Sequence, residues 1–479
     1  MSSIAQSAIS NLKEAGLGDI LYVPGEQAYE ARRTSYWSLT PQLSPWAFVQ
    51  PRNTEEVSKA VKALVGTPGC NFAIRSGGHM SWVGAGNNIE SGVTIDFGLM
   101  TGISYDSNTG LASLQPGSRW RDVYVELERH GVMVAGGREG LVGLGGFLTG
   151  GGLSFYNCRY GFACDQIEKY EVVLADGSIV EATNTTNPDL FRVLKGGNNN
   201  FGIVTRFDMR TFEAKKIWDG FNTYSKTTSN QMVEAYVDFS ADLAKSPDSH
   251  ILAMWTQLPG ASEYIINVVL THLDGVENPK PFERFMTIPG QHNMRTTTVA
   301  KKIGEFLLPS GGYNFWLTYT FKLDRQVIYR IVERYEALLD KLREAIPDNN
   351  FGVNMVFQPL LASWQHHSVV RGGNMLGLEN LSDDCVILVV GNEVGTAELS
   401  DNVSAPVLKE MFDDIKSYAK SVDKHVDYLY LNYCDGSQNP MGSYGEENIK
   451  KMREASAKYD PTGVFQERVP GGYKISKVK

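Results

Sequence analysis

Residues 72–88 read FAIRSGGHMSWVGAGNN, a short apolar run followed by two pairs of glycines that enclose one histidine. The apolar run 72–74 is typical of a buried strand, and the turn 76–78 follows it directly. Glycines leave room for main-chain N–H groups to converge on an anion such as a diphosphate. His79 lies inside this turn, where an imidazole can act as a nucleophile or as a covalent attachment point. The alternative is a surface turn with an incidental histidine.

Further motifs follow this stretch in order along the chain. They are VGLGGF at 142–147, GGGLS at 150–154, YGFACDQI at 160–167, LKGG at 194–197, NFGIVT at 200–205, YLNY at 430–433, YG at 444–445 and YDP at 459–461. The block 143–152 does not fit GxGxxG, because Leu148 stands where the third glycine should be, and no GK[ST] follows it. The spacing therefore argues against a Rossmann NAD domain and against a P-loop.

This ordered set resembles the motifs of the berberine-bridge-enzyme-like FAD oxidases, within the vanillyl-alcohol oxidase superfamily. The resemblance covers residues 45–210 and 428–466. It implies an α+β fold with a PCMH-type FAD-binding domain over residues 1–213 and an antiparallel-sheet substrate domain, backed by helices, over residues 214–428. A C-terminal segment, 429–479, is expected to return to the FAD domain.

The resemblance implies that FAD is bonded covalently through its 8α carbon to His79. The alternative is a histidine that only hydrogen-bonds the flavin or the main chain. Some family members have a second, 6-cysteinyl bond, but the position of that cysteine falls on Glu139, so we predict a single tether. The other residues that the resemblance assigns to FAD are Arg75, Ser76, Gly77, Gly78, Met80, Val142, Gly143, Gly145, Gly146, Gly150, Gly151, Gly152, Ser154, Gly202, Ile203, Val204 and Asn432.

Val142 bears on the choice between oxidase and dehydrogenase. In the family, a small valine at the matching position is associated with O2 reaching the reduced flavin, whereas leucine hinders it. This favours an oxidase, although an ordinary core valine is the alternative. Phe147 stands where many members have histidine, so any contact of that histidine is missing here.

Hydride transfer to flavin needs a base that accepts the companion proton. Tyr430 and Tyr433 are the candidate catalytic residues of the C-terminal signature, and tyrosines buried only for packing are the alternative. Strand alternation predicts Tyr430 and Asn432 on one face and Tyr433 on the other. Further candidates in the substrate domain are Glu393 and the pair His366–His367.

Composition excludes several classes of protein. The 479 residues carry a net charge of −9 without a long run of either sign, which argues against a nucleic-acid or anionic-membrane partner. No stretch of about 18 apolar residues is present, so we predict no membrane span. The N-terminus lacks a basic region followed by an apolar one, and the five cysteines are scattered. We therefore expect reduced thiols, a cytoplasmic location and no metal site.

Hydrophobic periodicity predicts the main elements. The predicted strands are 47–50, 71–75, 93–97, 200–212, 251–257, 264–273, 315–322 and 386–390, with a hairpin over 170–180. The predicted helices are 7–15, one from Thr54 as N-cap, 120–130, 231–245, 325–345 and 406–422. We predict no internal repeat and no flexible linker.

Together these features predict an FAD-dependent oxidase. It would take a hydride from a small-molecule alcohol, amine or secondary-metabolite intermediate and pass the electrons to O2, giving H2O2. One alternative is a flavin-containing cyclase or eliminase of a biosynthetic intermediate with little net redox turnover. Another is a binding module that keeps the fold without a working flavin.

Overall fold

The computed structural model describes residues 2–305 and 311–478. Up to residue 213 the chain forms short strands and helices around two small sheets. The strands are β1 (Leu21–Tyr22), β2 (Ala47–Val49), β3 (Asn71–Arg75), β4 (Gly92–Asp96), β5 (Ile103–Asp106), β6 (Leu111–Leu114), β7 (Val132–Met133), β8 (Ile167–Val173), β9 (Ile179–Thr183), β10 (Ile203–Arg210) and β11 (Phe212–Glu213). The helices are α1 (Ser3–Leu12), α2 (Gln27–Arg33), α3 (Thr54–Val65), α4 (Trp120–Glu128), α5 (Leu144–Thr149), α6 (Asn157–Tyr160) and α7 (Pro188–Val193).

The first sheet has the order β1-β2-β4-β3, in which β2, β4 and β3 run parallel. The second sheet is antiparallel with the order β5-β6-β10-β8-β9, and β7 pairs with β11. Helix α3 connects β2 to β3, which run parallel on either side of β4, as a crossover between parallel strands requires. The side chain of Asn53, not of Thr54, caps this helix by accepting a hydrogen bond from the N–H of Glu56 at 2.9 Å.

From residue 217 onward the chain forms one large antiparallel sheet and its helices. The strands are β12 (Ile217–Ser225), β13 (Ser249–Gln257), β14 (Ile265–His272), β15 (Gly290–Gln291), β16 (Arg295–Thr297), β17 (Tyr313–Lys322), β18 (Phe351–Leu360), β19 (Cys385–Val394) and β20 (His425–Val426). The helices are α8 (Ser229–Asp242), α9 (Glu283–Thr287), α10 (Val299–Glu305), α11 (Arg325–Ala345), α12 (Gln365–Val370), α13 (Ala397–Leu399), α14 (Ala405–Ser421), α15 (Glu446–Tyr459) and α16 (Val464–Glu467). The sheet order is β15-β12-β14-β13-β18-β19-β17-β20, with β16 beside β12. The predicted α+β class, with an antiparallel sheet backed by helices, is confirmed.

The two faces of the large sheet have different neighbours. Phe357 of β18 packs on Tyr236 of α8, and Tyr335 of α11 donates a hydrogen bond to the carbonyl of Trp255 at 3.1 Å. Because side chains alternate along a strand, the next residue, Gln358, lies on the opposite face. Sequence periodicity did not predict β18, which lies between β13 and β19 in the centre of the sheet.

Two predicted elements differ from the structure. The segment 430–433 is not a strand, because the N–H of Tyr433 donates to the carbonyl of Tyr430 at 3.0 Å and closes a turn over Leu431–Tyr433. Helix α1 begins at Ser3 rather than near residue 7, because the Ser2 hydroxyl caps the N–H of Ala5. Among the described helices, none is long and apolar enough to cross a membrane.

The C-terminal segment packs against the start of the chain. The Arg468 guanidinium donates to the carbonyls of Leu64, Thr67 and Cys70, and its own carbonyl accepts from the N–H of Phe72 at 2.8 Å. These bonds hold the segment next to β3, the strand that leads into the glycine turn.

Candidate active site

The first glycine turn and the second glycine block touch each other through their main chains. A Cβ added to Gly77 would lie 2.5 Å from the nitrogen of Gly143, and one added to Gly143 would lie 2.4 Å from the nitrogen of Gly77. The Ser76 hydroxyl lies between the two segments and accepts the N–H of Gly145 at 2.9 Å. Only glycine permits this contact. The structure therefore brings together residues of the two motifs.

Main-chain donors in this turn point to a bound anion. In the part of the chain that the structure describes, the N–H groups of Gly77, Gly78 and His79 have no hydrogen-bond acceptor. Gly78 has a φ of +64°, the left-handed conformation that lets successive N–H groups converge. The Arg119 guanidinium lies beside Gly77 and donates to the carbonyl of Leu141. Burial and the charges of Arg75 and Arg32 lower the pKa of Arg119 to about 10, so its guanidinium is still charged at pH 7 and can pair with a diphosphate.

Arg75 has a different position from the one predicted. Its guanidinium is fully buried, pairs with Asp96 at 3.1 Å and stacks on Tyr36 at 3.7 Å. It also donates to the main-chain carbonyls of Arg32 and Ser35, at 2.8 Å each. These contacts hold the N-terminal segment behind the turn, so the side chain cannot bind the cofactor directly.

His79 is held between an aromatic ring and a carboxylate. Its ring meets the Trp37 ring edge-on, with centroids 4.9 Å apart, and its Nε2 lies 3.7 Å from Oε2 of Glu139. Burial and, to a smaller degree, the charge of Arg119 lower the pKa of His79 to about 3, so the imidazole is neutral at pH 7. Its buried Nδ1 has no hydrogen-bond partner among the described residues.

Two residues of the C-terminal signature form hydrogen bonds with the second glycine block. The buried hydroxyl of Tyr430 accepts the N–H groups of Gly152 and Leu153, at 3.1 and 2.9 Å. Asn432 donates to this hydroxyl and to the carbonyl of Phe147, at 3.1 Å each. Burial raises the pKa of Tyr430 above its usual value. The Tyr430 hydroxyl thus holds the glycine block through hydrogen bonds, and its predicted catalytic role stays a prediction.

Tyr433 is the second tyrosine of the C-terminal signature that is predicted to be catalytic. Its hydroxyl accepts a hydrogen bond from Arg138 at 3.0 Å and another from Nε2 of Gln358 at 3.2 Å. The Tyr433 ring meets Tyr430 edge-on, with centroids 4.8 Å apart, which places it beside the glycine block. Arg138 also contacts Nε2 of His250 at 3.1 Å. Since a guanidinium only donates, this nitrogen accepts and the ring hydrogen lies on Nδ1.

Arg138 and Glu139 connect the two parts of the site. They are consecutive, yet Arg138 contacts the Tyr433 hydroxyl and Glu139 faces His79. No described carboxylate lies within 4.0 Å of the Arg138 guanidinium. The site thus contains a neutral imidazole at one end and a phenol beside a positive charge at the other.

Glu393 and the histidine pair lie elsewhere. Glu393 is opposite Gly352, six residues along β18 from Gln358, which corresponds to about 20 Å of strand. It contacts the Gly312 region, and burial raises its pKa. The pair His366–His367 lies on α12, where Nε2 of His367 is 3.3 Å from the carbonyl of Cys158. The structure does not support these three residues as the base.

The remaining predicted FAD ligands lie in or next to the same segments of the chain. Ile203 and Val204 have buried side chains. Strand β6 pairs with β10 only from Phe207 onward, so β6 does not cover the main-chain edge of β10 at Ile203 and Val204. The Ser154 hydroxyl accepts the N–H of Tyr156 at 3.2 Å and is fully buried. Gly146 lies on α5, and the others lie in the contacting loops or just before β10: Met80, Val142, Gly150, Gly151 and Gly202.

Sequence reasoning missed Arg119, Arg138, Gln358 and the contact of Glu139 with His79. Arg138 and Glu139 directly precede the second glycine block, so their position was a usable signal. Gln358 had no signal, because its strand was not predicted and its partners come from distant segments.

These groups fit a dinucleotide with a diphosphate and an electrophilic ring. The unpaired N–H groups of the turn and Arg119 suit the diphosphate, and the free Nδ1 of His79 suits an electrophilic carbon. No group of histidine, cysteine and acidic side chains in the described chain could hold a metal ion.

Comparisons with known proteins identify the family of this chain. Residues 45–183 match the FAD binding domain family. The chain is 36% identical to the FAD-dependent monooxygenase drtC of Aspergillus calidoustus, over 100% of this chain and 92% of that protein. It is also 36% identical to the FAD-dependent monooxygenase sdcF of Emericella nidulans, over 100% of both.

Solved structures share the fold at lower identity. Glucooligosaccharide oxidase from Acremonium strictum aligns with a TM-score of 0.79 and 20% identity, over 98% of this chain and 99% of that one. That oxidase is described as holding a 6-S-cysteinyl, 8α-N1-histidyl FAD. The full-length identity to FAD-dependent enzymes and the contacting glycine loops show that the chain belongs to the berberine-bridge-enzyme-like FAD-linked oxidases of the vanillyl-alcohol oxidase superfamily and is an FAD-linked oxidoreductase.

Proposed function

We propose that this protein is an FAD-dependent oxidase of a small molecule. It takes a hydride from an alcohol, an amine or a secondary-metabolite intermediate and passes the electrons to O2, giving H2O2. The observation that carries the proposal is the Tyr433 hydroxyl, held by Arg138 and Gln358 beside the second glycine block. An oxygen in this position can accept the proton that a substrate O–H or N–H releases as hydride leaves the adjacent carbon.

Arg138 and Gln358 prepare Tyr433 to act as this base. A guanidinium in contact with a phenol oxygen stabilises negative charge on that oxygen, more strongly where water is partly excluded. Gln358 is buried and supplies a second donor to the same oxygen. We therefore assign Tyr433 as the general base, and we assign Arg138 and Gln358 the role of stabilising its ionised form.

FAD, when bound, supplies the hydride acceptor and the reaction with O2. We place its covalent attachment at Nδ1 of His79, whose neutral ring has no other described partner at this nitrogen. A second, cysteinyl bond is not part of the proposal, because Glu139 faces the histidine and Cys158 contacts His367 instead. We assign Val142, in the loop after Glu139, to the side from which O2 reaches the flavin.

The substrate domain favours a small polar molecule. The face of the large sheet opposite its helices carries Gln358 and Asn354 of β18 and, two strands away on β17, Thr318. We place the reaction in secondary metabolism and the protein in the cytoplasm, because the single tether and the scattered, unpaired cysteines do not suit an extracellular sugar oxidase.

A monooxygenase is the second candidate. The two relatives at 36% identity are named FAD-dependent monooxygenases. Such a reaction puts one atom of O2 into the product, and the other atom leaves as water, which requires two further electrons from a reductant. An oxidase needs no reductant other than its substrate.

A panel of alcohols, amines and phenolic or polyketide-like intermediates, incubated with the holoenzyme under 18O2, distinguishes the candidates. One H2O2 formed per O2 consumed, with no 18O in the product, supports the oxidase. An 18O-labelled product that forms only with an added nicotinamide reductant supports the monooxygenase. Product that forms without O2 uptake, with unchanged mass or lighter only by an eliminated group, supports the cyclase or eliminase and contradicts both the oxidase and the monooxygenase.

A further inference from the structure

The contact between His79 and Glu139 is the starting point for an inference that rests on the histidyl attachment proposed above. Nε2 of His79 lies 3.7 Å from Oε2 of Glu139, whereas the buried Nδ1 has no described partner. The Trp37 ring packs edge-on against the imidazole and limits its rotation. The ring is therefore oriented with one nitrogen toward a carboxylate and the other toward the glycine loops.

The carboxylate of Glu139 is itself fixed. Its Oε2 accepts the main-chain N–H groups of Leu141 and Val142, at 2.7 and 2.9 Å. Its side chain is only 10% exposed, so water does little to screen the charge. Hydrogen bonds from two N–H groups stabilise the ionised form of a carboxylate. Glu139 thus presents a negative charge in a fixed place.

The protonation of His79 follows from these contacts. A neutral imidazole carries its hydrogen on one of two nitrogens, and an ionised carboxylate can only accept. The hydrogen is therefore favoured on Nε2, facing Glu139, which leaves the lone pair on Nδ1. Only a nitrogen with a free lone pair can form a bond to carbon.

We propose that Glu139 is a positioning residue for the attachment of FAD. It holds His79 with the hydrogen on Nε2 and the lone pair on Nδ1, and it balances the positive charge of the imidazole as the bond forms. An N–C bond forms between Nδ1 and the 8α carbon, and a C–H bond of the 8α methyl group breaks. The methyl group loses one proton and the imidazole loses another through Nε2. The flavin keeps the two electrons until O2 takes them with two protons as H2O2.

The alternative is that Glu139 only anchors the loop 141–142. Glu139→Gln separates the two roles, because the amide oxygen can still accept both N–H groups but the charge is lost. We expect Glu139→Gln to reduce the fraction of protein with covalent flavin by at least about tenfold, since a carboxylate that sets a histidine tautomer has large effects on reactivity. FAD should still bind, and acid should release it.

The readout is intact-protein mass of purified holoenzyme, together with flavin fluorescence of acid-precipitated protein. Glu139→Asp keeps the charge and should restore part of the attachment, which would exclude a folding defect as the cause. Glu126→Gln is the matched control, because it removes a half-buried carboxylate that lies 3.6 Å from a histidine, His130, outside the site, and it should leave attachment unchanged.

Two outcomes would overturn the inference. Glu139→Gln protein with as much covalent flavin as wild type would show that the charge is not needed. Wild-type protein that releases all its flavin in acid would contradict the histidyl attachment itself, and with it the role of Glu139. The oxidase assay of the previous section is independent of attachment and would still report on the proposed reaction.

Discussion

Tyr430 and Tyr433 are three residues apart, yet their hydroxyls have different partners. Tyr430 accepts two main-chain N–H groups of the glycine block, whereas Tyr433 accepts from Arg138 and Gln358. The turn over Leu431–Tyr433 directs the two rings to different neighbours. At the scale of single residues, the first tyrosine therefore holds the glycine block, and the second is the proposed base.

Tyr433→Phe tests the proposed base. The change removes only the hydroxyl and keeps the ring that packs on Tyr430. We expect the rate of flavin reduction by substrate to fall about 100- to 10,000-fold, the usual contribution of a general base. Stopped-flow absorbance under anaerobic conditions measures this rate. Bound FAD should be unchanged, and a variant that reduces flavin at the wild-type rate would exclude Tyr433 as the base.

Tyr430→Phe is the complementary change. It leaves the buried N–H groups of Gly152 and Leu153 without an acceptor, which costs about 1–3 kcal/mol for each unsatisfied group. We expect a lower midpoint of urea unfolding. The rate of flavin reduction per folded molecule should stay within a few-fold of wild type. A stable variant with no reductive activity would reverse the roles of the two tyrosines.

At the scale of elements, the two glycine loops can touch only because Gly77 and Gly143 have no side chains. Gly77→Ala would place a Cβ 2.5 Å from the nitrogen of Gly143, where main-chain atoms cannot yield easily. We expect this variant to purify with little or no FAD, measured by flavin absorbance per protein. Gly304→Ala is the matched control, because its Cβ would meet nothing within 4 Å and because it lies on α10, outside the candidate site. Equal FAD content in both variants would contradict the packing argument.

The ion pair behind the glycine turn joins β3, β4 and α2. Asp96 and Arg75 are both fully buried, and Arg32 also donates to Asp96 at 2.8 Å. Burial alone would raise the pKa of Asp96, but the charges of Arg75 and Arg32 outweigh it and lower the pKa below its usual value. A carboxylate of this kind stabilises the fold above its unfolded pKa, about 3.9. That stability is lost as pH falls through the folded value.

Asp96→Asn is therefore expected to lower the free energy of unfolding at pH 7 by about 3–5 kcal/mol, because the buried guanidinium loses its counter-charge. Below about pH 4 the difference from wild type should shrink, since the wild-type carboxyl then becomes protonated. Urea unfolding followed by tryptophan fluorescence at both pH values measures this. The exposed Asp106→Asn is the control. A pH-independent difference between Asp96→Asn and wild type would rule out the charge as the cause.

At the scale of the whole molecule, three distant parts of the chain build the candidate site. Arg138 comes from the first half, Gln358 from the large sheet and Tyr433 from the returning segment. The returning segment is held by Arg468, which donates to three carbonyls near β3. The site therefore forms only when the C-terminal segment is docked.

Arg468→Ala tests this docking. It leaves the carbonyls of Leu64, Thr67 and Cys70 without their donor, so we expect a loss of about 2–4 kcal/mol in the free energy of unfolding, from about 1 kcal/mol per hydrogen bond. Bound FAD should fall with it. Arg453→Ala, which removes a single bond to the carbonyl of Val478, should have a much smaller effect. Two variants of equal stability would contradict the role given to Arg468.

Local patterns predicted much of the fold. The apolar run before the glycine turn gave β3 with its observed bounds, and the periodicity of 325–345 gave α11 with its observed bounds. The sequence pattern did not predict strand β18, because Gly352, Asn354 and Pro359 interrupt its apolar residues. The segment 430–433 alternates like a strand in sequence, but the hydrogen bond from the N–H of Tyr433 to the carbonyl of Tyr430 closes a turn there.

The sequence by itself determined the glycine motifs, their order and the identity of His79 and Tyr433, because these features depend on residue type and on neighbours along the chain. The resemblance that those motifs carry was enough to predict FAD. Only the tertiary structure decided that Arg75 is a buried ion-pair partner, that Tyr430 clasps the glycine block and that Glu393 lies away from the site. It also decided that Arg138, Gln358 and Tyr433 meet. A side chain's role depends on partners brought close by folding from hundreds of residues away, and no local pattern encodes them.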